Sequence, residues 1–435
     1  MRRSMQRIRI FAVFIAISIV GLLSHTKVVL AQQTTSPLIQ QSDLQYLGAF
    51  LLPAWTSDGT SFSYGGTALA YNPAHNSLFL VGHNCYQLTA EVAIPTVVHS
   101  TSLSALKTAT FLQPYADATN GKSAQTGGEA SCSAGNKIGG HLVYQGRLYG
   151  TVYIAYDGSG SQVVSHFGRS STSLSAGTAS NLVQVGTLGA GFVSGYMTPI
   201  PLEWQSAFGG PALTGNCCLS IISRTSYGPA AFVFDPAALG VTTPVPDSPL
   251  VYYPSSQPTI GTWGGSWNPS SGIFWDGSTV IGGIVFPSGS RSVLFFGTQG
   301  TGGFCYGQGT SNPSLAGKPV PGVTGVIYCY DPDNSYKGTH GYPYAAMVWA
   351  YDANALLAVK NGQKQPWQVT PYATWPLTLP FSSPTIGGAA YDPATGNIYV
   401  SQQFGNGTDP VIHVFTAKSL PSVTLSPPTN LRIVP

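Results

Sequence analysis

The sequence predicts an all-β fold in which one strand–turn–strand module is repeated around an axis. Two observations predict it. Five glycine pairs recur, each followed by an apolar strand, a tight turn and a second apolar strand. They are Gly65-Gly66 in YGGTALAYNPAHNSLFLVGHN, Gly139-Gly140 in IGGHLVYQGRLYGTVYI, Gly209-Gly210 in FGGPALTGNCCLSIISRTS, Gly282-Gly283 in IGGIVFPSGSRSVLFFGTQ and Gly387-Gly388 in IGGAAYDPATGNIYVSQQ. Their spacings of 74, 70, 73 and 105 residues mark a repeat array. The second observation concerns the ends of the repeat series. LQYLGAFLLP (residues 44–53) reads like KTATFLQP (107–114), the last strand of the first module, whereas the fifth module stops after VIHVFTA (411–417). A spare strand at one end and a missing one at the other predict that the first completes the sheet of the last, which removes two free sheet edges.

The elements follow in order. Residues 1–31 read as a secretory signal, with Arg2, Arg3, Arg7 and Arg9 ahead of an apolar run from Ile10 to Leu23 and small side chains at Val29 and Ala31. The run of 14 is shorter than the ~20 residues that cross a bilayer. In the first module the strands are expected near 67–71, 78–82, 91–94 and 109–112. Asn72-Pro73, Pro287-Ser288 and Asp392-Pro393 punctuate the first turn of their modules, and Asp235-Pro236 and Asp331-Pro332 follow third strands. One helix is expected over 352–360, ended near Gly362. Residues 419–435 form a Pro-rich tail, which leaves 32–418 as one domain.

Four strands per module around an axis resemble the β-propeller superfold. The resemblance implies five blades, with residues 44–53 closing the last. Six blades are the alternative, the 105-residue interval then holding a degenerate one. No Asp-box and no Trp-Asp repeat ending is present, so the resemblance names no family.

Composition bounds the partners. The whole chain has 18 Lys+Arg against 15 Asp+Glu. Removing 1–31 takes five of the basic residues and leaves 13 against 15, a net of −2. There is no basic stripe, so a nucleic-acid partner is rejected. Charged residues are only 8 %, and a polar, uncharged surface suits a secreted, periplasmic or extracellular protein with no membrane span once the signal is removed. Six cysteines in an exported chain point to disulfides. Cys85 and Cys132 fall in neighbouring loops on one face and are expected to pair; Cys305 and Cys329 bracket a long insertion and would staple it. Cys217 and Cys218 remain open between a vicinal disulfide and a buried free pair.

In a propeller, the loops into each innermost strand and those between second and third strands share one face. Trp55, Trp204, Trp263, Trp267, Trp275 and Trp375 are assigned to the former; His83, Asn84, Arg224, Gln299, Gln402 and Gln403 to the latter. Aromatic rings stack on the apolar face of a sugar and amides read its hydroxyls, which points to a carbohydrate or a cell-surface protein as partner; wedging of the tryptophans between modules is the structural alternative. Glycoside hydrolysis needs two carboxylates across one pocket, and the candidates are Glu129 and Glu203. Polysaccharide β-elimination needs a base and a cation, for which His83 and Arg224 could serve. Five-bladed furanosidases share the module count but carry acids where this chain carries glycine pairs. No HExxH, CxxC, GxSxG or dinucleotide motif in a βαβ context is present, and neither metal nor cofactor is expected. A non-catalytic scaffold is the third possibility.

Overall fold

The computed structural model describes residues 35–54 and 60–417. The signal segment, the Pro-rich tail and Trp55 lie outside these residues. Among the described residues, twenty-two strands form six sheets. β1 (Leu44–Leu51) is followed by the first sheet, β2 (Thr67–Asn72), β3 (Ser77–Val81), β4 (Thr89–Ala93) and β5 (Thr110–Ala116), a simple antiparallel meander. The second sheet is β6 (Asn136–Tyr144), β7 (Arg147–Ile154) and β8 (His166–Gly168); the third is β9 (Met197–Pro199), β10 (Ala212–Thr214), β11 (Ala231–Phe234) and β12 (Asp247–Val251).

The fourth sheet begins with β13 (Val280–Val285) and β14 (Ser292–Gly300). An insertion then forms its own small sheet from β15 (Cys305–Thr310), β16 (Tyr328–Tyr330) and β17 (Lys337–His340), before β18 (Tyr344–Asp352) and β19 (Ala373–Pro376) complete the fourth. The fifth contains β20 (Ile386–Asp392), β21 (Asn397–Asn406) and β22 (Asp409–Ala417). β1 pairs antiparallel with β22, from Leu44 opposite Ala417 to Leu51 opposite Val411. The spare N-terminal strand therefore lies where the sequence placed it.

The innermost strands are β2, β6, β9, β13 and β20. β2 packs on β6 and β20, β6 on β9, β9 on β13, and β13 on β20. The glycine pairs explain how they approach. A Cβ on Gly139 would stand 2.1 Å from the Ser194 carbonyl, one on Gly282 2.7 Å from Ile386 O, and one on Gly387 2.4 Å from Gly66 O. At Ile138-Gly139-Gly140, Ile281-Gly282-Gly283 and Ile386-Gly387-Gly388 the strand also bulges, shifting register against its neighbour.

The third repeat departs from the sequence reading. Gly209-Gly210 does not precede an innermost strand; it ends the short helix Leu202–Phe208 and leads into β10. The glycine that meets the neighbouring strand there is Gly195, whose carbonyl lies 2.4 Å from a Cβ built on Gly140. The long 105-residue interval is filled by the inserted sheet, and β13 still packs directly on β20 across it. Tyr328–Tyr330 is consequently a strand of the insertion, not the third strand of its module.

Apolar clusters lie between consecutive sheets. Ala70, Phe79, Leu148 and Phe167 join the first and second; Leu142, Met197, Phe232 and Phe234 the second and third. Trp349, Tyr253, Ile284 and Phe295 join the third and fourth, and Leu294, Phe296, Val400 and Phe415 the fourth and fifth. Leu78, Leu80, Tyr399 and Ile412 join the fifth to the first. Turn chemistry behaves as read: Asn72 and Asp392 each accept the backbone N–H two residues on, and Asp352 caps the helix Ala353–Lys360. Among the described residues no helix is long and apolar enough to cross a membrane.

Candidate functional site

A cavity of about 380 Å³ opens where the five innermost strands begin, within the usual range of small-ligand sites. Each innermost strand or the residues leading into it contribute: Thr67, Ile138 and Gly139, Gly195 and Tyr196, Val280 to Gly282, and Ile386 and Gly387. Loops add Tyr64, Asn84, Gln87, Asn216, the Cys217–Cys218 disulfide, Gln403 and Phe404. The lining mixes aromatic rings with primary amides. Among the described residues that line it, Lys137 is the only charged one, and none is Asp or Glu.

Backbone strain gathers here. Among the described residues nine that are not glycine have positive φ, and four of them line the cavity: Tyr64 at 59°, Gln87 at 54°, Cys218 at 66° and Phe404 at 61°. Bulky side chains are rare in this region, and such residues persist only where surrounding structure holds them, commonly at ligand sites. Tyr64 is held by its N–H to Thr408 O at 2.8 Å, and its ring meets His83 and Phe404 edge-on at 5.6 and 6.0 Å. Tyr64 and Phe404 are 49 % and 38 % exposed, so ring area faces the opening.

The polar groups are braced. Lys137 is buried; its Nζ donates to Asn84 O and Cys132 O at 2.7 and 2.5 Å, and desolvation draws its pKa below the usual lysine value. The Cys85–Cys132 disulfide ties the same two loops. Gln87 accepts the Ile138 N–H at 2.7 Å, and Gln403 donates to Gly65 O at 2.8 Å. The Asn216 amide donates to Ser194 Oγ at 3.2 Å. Burial raises the pKa of the Tyr196 phenol, whose oxygen accepts the Ala230 N–H at 3.0 Å.

The sequence-predicted residues divide. Asn84 lines the cavity, and His83 stands just behind it against Tyr64 and Tyr86, its Nδ1 accepting the Cys85 N–H. Cys85 pairs with Cys132 and Cys305 with Cys329, as expected, and Cys217 bonds to Cys218. Trp204 is a correction. It lies in the connection from β9 to β10, fully buried on Phe208 and Phe286, with Nε1 donated to Ser290 O. Trp275 and Trp375 are likewise core side chains. Trp263 and Trp267 are half-buried outside the cavity lining, Trp263 against Phe304 and Tyr306 of the insertion.

Gln299 and Gln402 are also turned inward. Gln299 bonds Asp276, Thr279 and its neighbour's carbonyl; Gln402 bonds Phe381 O, Ser383 O and His413. Successive strand residues face opposite ways, so it is Gln403, one residue on, that reaches the cavity. Arg224 spends its guanidinium on the carbonyls of Ser220, Ile154 and Ala155. Glu203 accepts the Gly289 N–H in the β13–β14 turn, and Glu129 is exposed in the loop before β6. None of Arg224, Glu129 and Glu203 lines the cavity. Tyr64, Gln87, Lys137, Tyr153, Tyr196, Asn216 and Phe404 were not read from sequence. One signal could have found Tyr64 and three other lining residues: Tyr64, Ile138, Ile281 and Ile386 each immediately precede a glycine pair.

No family model matches the chain, and no curated protein matches it. Among solved structures, a calcium-bound structure of a family AA12 carbohydrate-active enzyme from Trichoderma reesei aligns at 10 % identity over 88 % of this chain and 98 % of that one, with a TM-score of 0.36. A luciferin-regenerating enzyme aligns at 8 % identity over 88 % and 96 %, with a TM-score of 0.34. The holo pyranose dehydrogenase PQQ domain of Coprinopsis cinerea aligns at 10 % identity over 87 % and 98 %, with a TM-score of 0.33. Likeness at this level carries no activity over to this chain.

Proposed function

We propose that this protein is an exported five-bladed β-propeller, its last blade completed by β1, that binds a neutral saccharide in the axial cavity without cleaving it. The lining chemistry carries the reading. Tyr64, Tyr153 and Phe404 offer ring faces, and Asn84, Gln87, Asn216 and Gln403 offer amides. Ring faces stack on the C–H face of a pyranose, and amides both donate to and accept from hydroxyls. A carboxylate pair of the kind hydrolysis uses is missing from the described lining. The glycan of a cell-surface partner would present the same chemistry as a free polysaccharide.

The test pairs a glycan array with a reducing-sugar assay on the purified chain. The expected result is binding of neutral glycans with no release of reducing ends, and about tenfold weaker binding by Tyr64→Ala. Release of reducing ends would replace this reading with a hydrolase, and silence on every glycan would remove it.

A further inference from the structure

We infer that the Cys217–Cys218 disulfide is the apolar floor of the cavity, the surface on which the C–H face of the bound sugar rests. The inference depends on the saccharide-binding reading above and adds to it a specificity-determining element.

Adjacent strand residues normally send their side chains to opposite sides. Bonding Cys217 to Cys218 brings both sulfurs to one side, and Cys218 takes a φ of 66° in doing so. The usual reason for a disulfide does not apply. A bridge stabilises chiefly by closing a loop of the unfolded chain, and the benefit grows with loop length. Cys85–Cys132 and Cys305–Cys329 span 47 and 24 residues; Cys217–Cys218 spans 1. Its chain-entropy benefit is accordingly slight, while its backbone strain is real.

The surroundings show what it offers instead. Cys217 is buried in the aromatic core between the third and fourth sheets, and both cysteines line the cavity. Trp275 stands behind them, fully buried, donating Nε1 to Cys218 Sγ at 3.5 Å and stacking on Tyr227 at 4.9 Å. The floor is thus backed by packed aromatic rings. A disulfide presents polarisable sulfur and methylene groups and no hydrogen-bond donor, so it favours C–H surface over hydroxyls. Being a covalent ring, it loses no rotamer freedom when a ligand settles on it. Asn216 at its edge supplies the adjoining amide.

Two measurements on the full chain test this, using maltose, cellobiose and xylobiose as probes. In titration calorimetry, Cys217→Ser with Cys218→Ser should weaken the binding of whichever disaccharide the unaltered protein takes by about tenfold, the thermal transition staying near its original temperature. The second needs no variant. A saturating disaccharide should slow reduction of Cys217–Cys218 by a water-soluble phosphine by about fivefold, read by alkylation and mass spectrometry, because reduction requires access to the sulfur; reduction of Cys305–Cys329 should be unchanged. If a disaccharide binds but does not slow reduction, or the folded double variant binds as tightly, the floor is refuted and the saccharide reading stands. If no saccharide binds the unaltered chain, the saccharide reading itself falls and takes the floor with it.

Discussion

Placing a methyl group at Gly139 should destabilise this protein far more than the same change at an exposed glycine. The built Cβ of Gly139 stands 2.1 Å from Ser194 O and 2.8 Å from Gly195 Cα, both backbone atoms of the segment entering β9. An ordinary contact would need ~3.4 Å, and no side chain can rotate away to supply the difference. Two backbones must part by about 1 Å, and overpacking of this kind costs about 3 kcal/mol, the upper part of the usual range. Gly387→Ala meets Gly66 O at 2.4 Å and belongs to the same class. Gly303→Ala is the control: it is exposed, nothing lies within 4 Å of its built Cβ, and its φ is not in the left-handed region. Removing glycine freedom from the unfolded chain should there gain about 0.5 kcal/mol. Urea unfolding followed by tryptophan fluorescence measures the difference, expected at about 3.5 kcal/mol. Gly139→Ala and Gly303→Ala agreeing within about 0.5 kcal/mol would refute the idea that glycines permit the innermost strands to approach.

Acid should destabilise the fold at pH values above the ordinary carboxylate range, through buried histidines. His141, His166 and His413 are buried, and desolvation pulls their pKa values down to about 4, 3 and 3. The folded state therefore holds them neutral while the unfolded chain protonates near pH 6.5, so their contribution is complete above that pH and is lost as pH falls toward the folded values. Each should cost about 1 kcal/mol between pH 6.5 and 5.5; His166→Gln should flatten the slope of urea stability against pH, and an unchanged slope would count against it. Glu91→Gln should cost about 2–3 kcal/mol. Burial alone would raise the Glu91 pKa, but donation from Ser77, Gln113, Asn72 and His75 outweighs it and holds the carboxylate below its usual value. The amide would set a donor against donors, lowering the thermal transition; a transition within error of the parent would show that the cluster contributes nothing.

Much of the frame is legible in the chain because it rests on local rules. Asx turns at Asn72 and Asp392 use side chains two residues from the backbone they bind. The Ile-Gly-Gly repeats mark three innermost strands because only glycine tolerates the backbone contact there. The third module breaks the pattern: its innermost strand is only Met197–Pro199, and the glycine pair nearby ends a helix instead. A glycine that ends a helix and one that admits a neighbouring strand look alike in sequence.

The site was less legible. Trp204 and Trp275 have the composition of a sugar platform and the position of core wedges, since a large ring serves either use and only burial decides. Gln402 and Gln403 differ by one residue, and strand phase alone sends the first inward and the second to the cavity.

By itself the chain determined the repeat and the spare strand ahead of it, and it supported the expectation that Cys85 pairs with Cys132 and Cys305 with Cys329. Each follows from periodicity, an unpaired edge or loop neighbourhood. Only the tertiary structure decided that Tyr64, Lys137, Asn216, Phe404 and the Cys217–Cys218 ring share one cavity. These residues come from different modules, and what gathers them is the packing of β2, β6, β9, β13 and β20 on one another, which leaves no trace in local spacing.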